Sequence, residues 1–518
     1  MRTAPPNETL LNNPTLPALQ LTPQQDAALA AMREFLDSDD PCFILRGYAG
    51  TGKTTLVSRL LELLREQQQD YLLLASTGRA ARILGMATGE GAQTVHSIIY
   101  EFASVEMSGD SGLNVRFSLS QEGPENTVII IDEASMLANG SPLPVGQASL
   151  FTQYGSGQLL SDFLFWSGLT SGLLSGNRVI FVGDAAQLPP VGETVSMALF
   201  AQHIEKFFGL RAREVELTAI VRQQQGSHIL EQASRLRDSI ISGAPDPVDW
   251  LPPADDWRYL AGDEEATRYR AGHMSGRASI IITHSNKRAL ELNRKVRRER
   301  FQSMFAPLQP GDILMVNQNN SESQLLNGDL VKVLEVGPQE TRLVMVRLKQ
   351  RPMPKQVTLL FRQVKVAYHS LLHGRMEQEC LILENLLHSP LAGPTDEERQ
   401  ALVTDFKQRI RAEKLTPAQI SGAFQNDPYL NALQVKYGYA LTCHKAQGGE
   451  WETAIVDVPG YLQGSYTSQL RWLYTAITRG KREVRVLRGQ NAKGWLQGVS
   501  PALQSPDNNN PKNAAHDR

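Results

Sequence analysis

The chain has 518 residues, with 52 Lys and Arg against 54 Asp and Glu. That length exceeds what one core accommodates and suggests about three or four units at ~150 residues each. The near balance of charge excludes attraction of nucleic acid by a net field, so any such partner is held by local basic patches.

Three cysteines, Cys42, Cys380 and Cys443, stand far apart without metal-ligand spacing. They support neither a disulfide framework nor a zinc site, and suggest a reducing, cytoplasmic compartment. The start, MRTAPPNETLLNN, has no apolar core of signal-peptide type. The most apolar long stretch, 159–174, is shorter than a bilayer span and contains Asp162, so no membrane is expected.

Residues 1–20 read as a disordered lead. LTPQQDAALAAMREFL at 21–36 reads as a helix with Thr22 as N-cap, Pro23 at its first position and Gln25 at the capping-box position. Two roles stand for Gln25, capping or reading an adenine edge. GYAGTGKTT at 47–55 follows the apolar run Cys42–Leu45 and precedes an apolar helical pattern. Strand, glycine turn and helix make a P-loop. Its backbone N–H groups curl around an anion at a helix N-terminus. Lys53 would reach the β- and γ-phosphates, and the Thr54 hydroxyl would hold Mg²⁺.

A strand at 71–75 ends in Ser76-Thr77-Gly78-Arg79, where α/β sheets place ligands. Hydroxyl, glycine and Arg suit a phosphodiester backbone; a plain strand-to-helix turn is equally consistent. TVHSII at 94–99 repeats the theme weakly with Thr94 and His96. Residues 100–125 alternate around SGDSG as a hairpin. It is either a surface hairpin or a wedge that splits a duplex, with Phe102 or Phe117 stacking.

TVIIIDEASM at 127–136 ends a strand in Asp132 and Glu133. Asp132 suits the metal, and Glu133 suits the water that attacks phosphorus. Residues 138–176 read as a Gly/Ser-rich insertion with some helix near 158–166. RVIFVGDAAQLPPV at 178–191 is a further strand with Gln187 at its end, placed to sense a γ-phosphate.

The chain starts again near 200. Arg222 lies in ELTAIVRQQ. A strand at 279–283 ends in Thr283 and leads into a basic helix, whose charges read either as a solvated face or as a contact. Residues 305–432 read as a small β-barrel-like insertion with a charged helical excursion near 395–420. YALTCHKAQGGEW at 439–451 returns to α/β pattern with Thr442, His444, Lys445, Gly448 and Glu450. A helix then leads to Arg479, either packed surface charge or an arginine finger on the transferring phosphoryl group. Residues 499–518 read as a disordered tail.

GYAGTGKTT, STGRAA, IIIDEASM, VGDAAQLPPV, VRQ, LTCHKAQGGEW and LYTAITRGK occur in the order seen in superfamily 1 helicases. The set most closely resembles the 5′→3′ branch, the Dda/RecD-like DNA helicases with an AAA-type P-loop ATPase, over roughly residues 20–490. The resemblance implies two tandem RecA-like α/β domains, 21–200 and 201–304 with 433–498. It implies a strand-separating pin near 100–122 and a small barrel at 305–432. It implies that Gln25, Gly50, Thr51, Gly52, Lys53, Thr54, Thr55, Gly448 and Glu450 contact ATP, with Mg²⁺ on Thr54 and Asp132. By the same resemblance Lys53, Glu133, Gln187, Arg222 and Arg479 would carry the chemistry, and Thr77, Arg79, Thr94, His96, Thr283, Thr442, His444 and Lys445 would contact single-stranded DNA.

The expected protein is a monomeric, cytoplasmic, nucleoid-associated DNA helicase acting at single-strand/double-strand junctions. It would serve replication, recombination or repair beside single-strand-binding or repair proteins. Two alternatives stay open: an RNA helicase or RNP remodeller of the same superfamily, and a DNA-stimulated ATPase switch without unwinding.

Overall fold

The computed structural model describes residues 21–108, 112–140, 152–172, 175–221, 227–243, 249–260, 268–269, 278–320, 323–347, 353–370, 374–459, 462 and 464–488. The expected lead 1–20 and tail 499–518, the hairpin tip, Arg222 and much of the Gly/Ser-rich segment lie outside them.

The first helix, Pro23–Leu36, carries the expected capping box of Thr22 and Gln25. Strand β1 (Cys42–Gly47) is apolar except for Arg46 and is almost wholly buried, as a parallel strand covered on both faces must be. Helix Lys53–Glu66 follows it directly. Next come β2 (Tyr71–Ala75), helix Gly78–Thr88, the short β3 (Gln93–Thr94) and helix Val95–Ile99. β4 (Tyr100–Ser108) and β5 (Gly112–Leu119) pair antiparallel as the expected hairpin. β6 (Val128–Asp132) carries the acids. β7 (Thr152–Tyr154) joins β5 in parallel, and helix Leu159–Trp166 fills the expected helical stretch of the insertion. β8 (Arg178–Gly183) and β9 (Ala212–Leu217) complete a six-stranded sheet in the order β3-β2-β6-β8-β1-β9. Every neighbouring pair in it is parallel.

The expected break at residue 200 is therefore too early. β9 pairs with β1 from Cys42↔Ala212 to Gly47↔Leu217. Its alternating charges suit an edge position and masked it as surface.

A second parallel sheet begins with β10 (Trp257–Leu260) and β11 (Ser279–Thr283). The basic helix Asn286–Phe301 leads out of it. β12 (Ile313–Val316), β13 (Leu330–Val346), β14 (Lys355–Ser370), β15 (Gly374–Leu383) and β16 (Leu433–Tyr437) form a closed barrel. Its closing strand β16 lies past the expected boundary at 432. Strict alternation in LQVKY, with Leu433, Val435 and Tyr437 turned inward, makes it a barrel strand. β17 (Ala440–Thr442), β18 (Trp451–Val458) and β19 (Gly480–Arg488) complete the second sheet, ordered β10-β19-β18-β11-β17.

Barrel and second sheet share one core, in which Ile281, Leu292 and Val296 meet Leu314, Val331 and Tyr437. The helical excursion comprises Asp396–Ala412 and Pro417–Gln425. It packs on the hairpin: Leu113 and Val115 bury against Val403. Phe102 stacks on Phe424 at 6.0 Å and Phe117 on Tyr154 at 4.7 Å. These two phenylalanines pack within the protein, which corrects their reading as free platforms for bases. No described helix is long and apolar enough to cross a membrane.

Candidate nucleotide site and nucleic-acid face

The P-loop follows the carboxyl end of β1, and Gly50 and Gly52 adopt φ of 81° and 80°. L-residues rarely adopt that backbone, so glycine is required there. Lys53 Nζ donates to the carbonyl oxygens of Gly47 (2.7 Å) and Tyr48 (3.2 Å). Thr51 Oγ1 donates to Tyr48 O at 2.8 Å. Thr54 and Thr55 are half-buried at the start of the helix. Gln25 accepts from Thr22 N–H through Oε1 at 2.9 Å and donates through Nε2 to Thr51 O at 3.0 Å. Both ends of its amide are engaged within the chain. The capping reading is realised, with a strut to the phosphate loop added.

The acids lie two strands away, at the end of β6. Asp132 accepts the Glu133 N–H at 2.8 Å. Glu133 sits in the left-handed region at φ 51°, a strained conformation for a non-glycine residue and one that clusters at functional sites. Its Oε2 is buried with no partner among the described residues. Burial, then the neighbouring Asp132, raises its pKa, while the charges of Arg479 and Lys53 oppose the rise. Burial likewise raises Asp132. Asp184, at the end of β8 between these two strands, is fully buried. It accepts from Ala186 N–H (2.9 Å) and Tyr474 OH (2.7 Å). Gln187 donates weakly to it, and its own Oε1 is buried without a partner. A cradle of loop amides, a lysine, and two buried oxygens with no partner among the described residues fit a phosphate group with a cation and water.

The second sheet closes the site from the other side. Arg479 follows helix Tyr466–Ile477 and is 4% exposed. Its guanidinium donates to Thr475 O, Gly449 O and Thr478 Oγ1 at 3.0–3.3 Å. It is buried facing the cleft, not surface charge. Arg471 donates to Ala185 O and Gln187 O, Gln447 to Leu188 O, and Leu188 N–H to Thr475 Oγ1. The loop after β8 is thus stitched to the second sheet. Glu450 is exposed and paired with Lys481 at 3.1 Å. A Cβ on Gly448 would lie 3.0 Å from Ala80 and 3.3 Å from Thr77 Oγ1. The structure thus sets Gly448 against the start of helix Gly78–Thr88 rather than at the P-loop.

The expected nucleic-acid contacts divide. Thr77 and Thr94 cap helices, accepting from Ala80 N–H and Ser97 N–H. Arg79 lies over the Trp451 ring at 4.0 Å, and burial lowers its pKa to about 10. It is half-buried, its guanidinium stacked on that ring. His96 packs with Tyr100 and Tyr154, each at 5.8 Å. Thr283 is fully buried and donates to Asp457 at 2.7 Å, so its hydroxyl is spent inside the second sheet. Arg288 holds the same carboxylate through two nitrogens.

Thr442 and Lys445 instead line a cleft between the second sheet and the barrel, with Asn286, Ser389 and Lys436. Lys445 reaches Asn317 and Asn327 on the barrel at 3.0 and 2.9 Å. Burial, with the Lys436 charge, lowers Lys445 to about 8, and burial lowers Lys436 to about 8. Burial also lowers the pKa of His444 beside it. Sequence reading missed Lys436, whose place opposite Val435 and Tyr437 in the alternation was its one signal. It also missed Trp451 and Tyr474, which stand inside motifs already quoted, and gave no role to Asp184.

A family description, AAA domain, matches residues 20–143, and a second, UvrD-like helicase C-terminal domain, matches 437–487. The ATP-dependent RecD2 DNA helicase of Deinococcus radiodurans is 23% identical over 468 residues, 87% of this chain and 47% of that protein. The ATP-dependent DNA helicase Pif1 of Bdellovibrio bacteriovorus is 33% identical over 188 residues, 34% of each chain. The chain thus spans half or less of the length of these relatives. The Candida albicans Pif1 structure covers 92% of the chain at 17% identity with a TM-score of 0.40. With the AAA-domain match at one end, the UvrD-like helicase match at the other and the RecD2 likeness across both, the chain is similar to ATP-dependent DNA helicases of the RecD2 and Pif1 kind.

Proposed function

We propose that the chain is an ATP-driven helicase that translocates 5′→3′ along single-stranded DNA and separates the duplex ahead of it. The observation that carries the reading is the meeting of Lys53, Glu133 and Arg479 across the two sheets. A buried carboxylate oxygen with no partner among the described residues lies within the fields of a P-loop lysine and an arginine from the other sheet. The named relatives, called ATP-dependent DNA helicases, support the same substrate class.

In this reading the P-loop amides of Gly50 to Thr55 and Lys53 hold the phosphates of ATP. Thr54 and Asp132 hold Mg²⁺, which neutralises developing phosphate charge. Glu133 takes the proton of the attacking water. Gln187 turns its amide oxygen toward that water, and Arg479 stabilises the charge on the γ-phosphoryl group. Arg222 joins it as a second arginine, and Glu450 meets the ribose. The first RecA-like domain runs from 21 through β9, and the second comprises 218–304 and 438–488. The hairpin serves as the pin, and the barrel covers the strand, which crosses Thr442, His444 and Lys445. The protein works as a monomer in the cytoplasm at DNA junctions, in replication, recombination or repair.

The test is strand separation of a short duplex with either a 5′ or a 3′ single-stranded tail, with Mg²⁺ and ATP. Opening of the 5′-tailed substrate alone is expected. Opening of the 3′-tailed one alone would reverse the polarity. Failure of both, with DNA-stimulated ATP turnover intact, would replace the helicase by a translocase or switch.

A further inference from the structure

The P-loop is held from the second sheet as well as from its own. Ala49 N–H, one of the loop amides, donates at 3.1 Å to the hydroxyl of Tyr474, on the helix that precedes Arg479. The same hydroxyl donates at 2.7 Å to Asp184 Oδ2. Tyr474 is 1% exposed and Asp184 0%. A hydroxyl that gives its proton to a buried carboxylate becomes a stronger acceptor for the next donor, so the two bonds reinforce each other. Water does not compete for either. The geometry points to Tyr474 as a positioning residue that ties the phosphate loop and the end of β8 in the first sheet to the arginine-bearing helix of the second.

The consequence is mechanical and rests on the proposed function. Tyr474 stands five residues before Arg479, on the helix that leads to it. Movement of that helix away from the P-loop breaks both bonds together, and its return re-aims the Ala49 amide as Arg479 arrives. Nearby seam bonds, such as Leu188 N–H to Thr475 Oγ1 at 3.0 Å, join the same elements without touching the loop. They supply the control.

The experiment is a double-mutant cycle of Tyr474→Phe and Asp184→Asn in the full chain. It is read first as the dissociation constant of fluorescent ADP without DNA, then as the ratio of ATP turnover with and without oligo-dT. Tyr474→Phe keeps the ring and removes only the bridging hydroxyl. We expect it to weaken ADP binding roughly tenfold, as loss of one buried charge-assisted bond does. The double variant should be no worse than the weaker single. The DNA stimulation ratio should fall with it. Thr475→Val should leave the ADP constant within about twofold. Additive effects in the cycle, or an equal loss in Thr475→Val, overturn the bridge. If Asp184→Asn does not fold, Tyr474→Phe against Thr475→Val decides alone. A wild-type protein with no DNA stimulation but a coupled ADP cycle sinks the helicase reading and keeps the bridge.

Discussion

Arg297 and Asp312 face each other with neither side chain exposed, joined through Nε and Nη2 at 3.0 Å each. Tyr439 OH donates to the same carboxylate at 2.6 Å, and Arg297 also caps the carbonyls of Ala306 and Pro307. The pair fastens the basic helix of the second sheet to the start of the barrel. Arg297→Leu leaves the Asp312 charge buried without its cation, which costs about 3–5 kcal/mol. A lower urea midpoint for the second half of the chain is the expected outcome. Arg297→Lys should recover little of it, because a single ammonium cannot reproduce the two-nitrogen fork.

Lys53→Ala and Glu133→Gln should separate binding from chemistry. The lysine variant is expected to lose ATP hydrolysis together with nucleotide affinity. Glu133→Gln should retain ATP while turnover falls about 10²–10⁴-fold, the usual worth of a general base. Phosphate release and fluorescent-nucleotide binding measure the two. Wild-type turnover in Glu133→Gln would remove that residue from the chemistry.

The two half-buried cleft lysines give a pH dependence. Lys436 and Lys445 have pKa values lowered to about 8 by burial, so each is charged below that pH and neutral above it. A phosphate favours the charged form, so binding takes up protons. Affinity for oligo-dT, followed by fluorescence anisotropy, should therefore fall as the pH rises through about 8. Lys445→Ala should lower affinity at neutral pH and flatten the profile. An unchanged profile would place the strand elsewhere.

The hairpin should matter for unwinding more than for ATP turnover. Leu113 is 1% exposed against Val403. Leu113→Asp buries a carboxylate in that contact and should undock the hairpin from the helical excursion. Duplex opening should drop more than roughly tenfold while DNA-stimulated turnover stays within about threefold. Equal loss of both would show that the hairpin's packing supports the ATPase itself.

Phosphate chemistry was legible because it needs particular residues at short, fixed spacing. GYAGTGKTT and the Asp132-Glu133 pair at a strand end were readable without any partner in view, and so were the strands that carry them. Contacts between distant segments were not. Arg79 carries a charge and sits where α/β sheets bind ligands, yet Trp451, 372 positions on in the numbering, stacks on it. Thr283 reads as available at a strand end, yet its hydroxyl donates to Asp457 on the neighbouring β18. β9 and β16 were missed for a related reason. Each is a short alternating strand at the margin of a unit, and nothing local says which sheet or barrel it joins. Gln25 shows the reverse: its local capping signal is realised in the structure.

Gly438 is where the barrel hands the chain back. One further residue, Tyr439, separates it from β17, and a Cβ at Gly438 would come within 2.9 Å of Leu330 and 3.1 Å of Ile313. The barrel is thereby moored to the second sheet at both of its ends, through this tight return and through Asp312. It can behave only as an outrigger, carried rigidly wherever that sheet is carried. A longer or differently decorated β13–β14 tip would extend its reach without altering its gearing to the nucleotide.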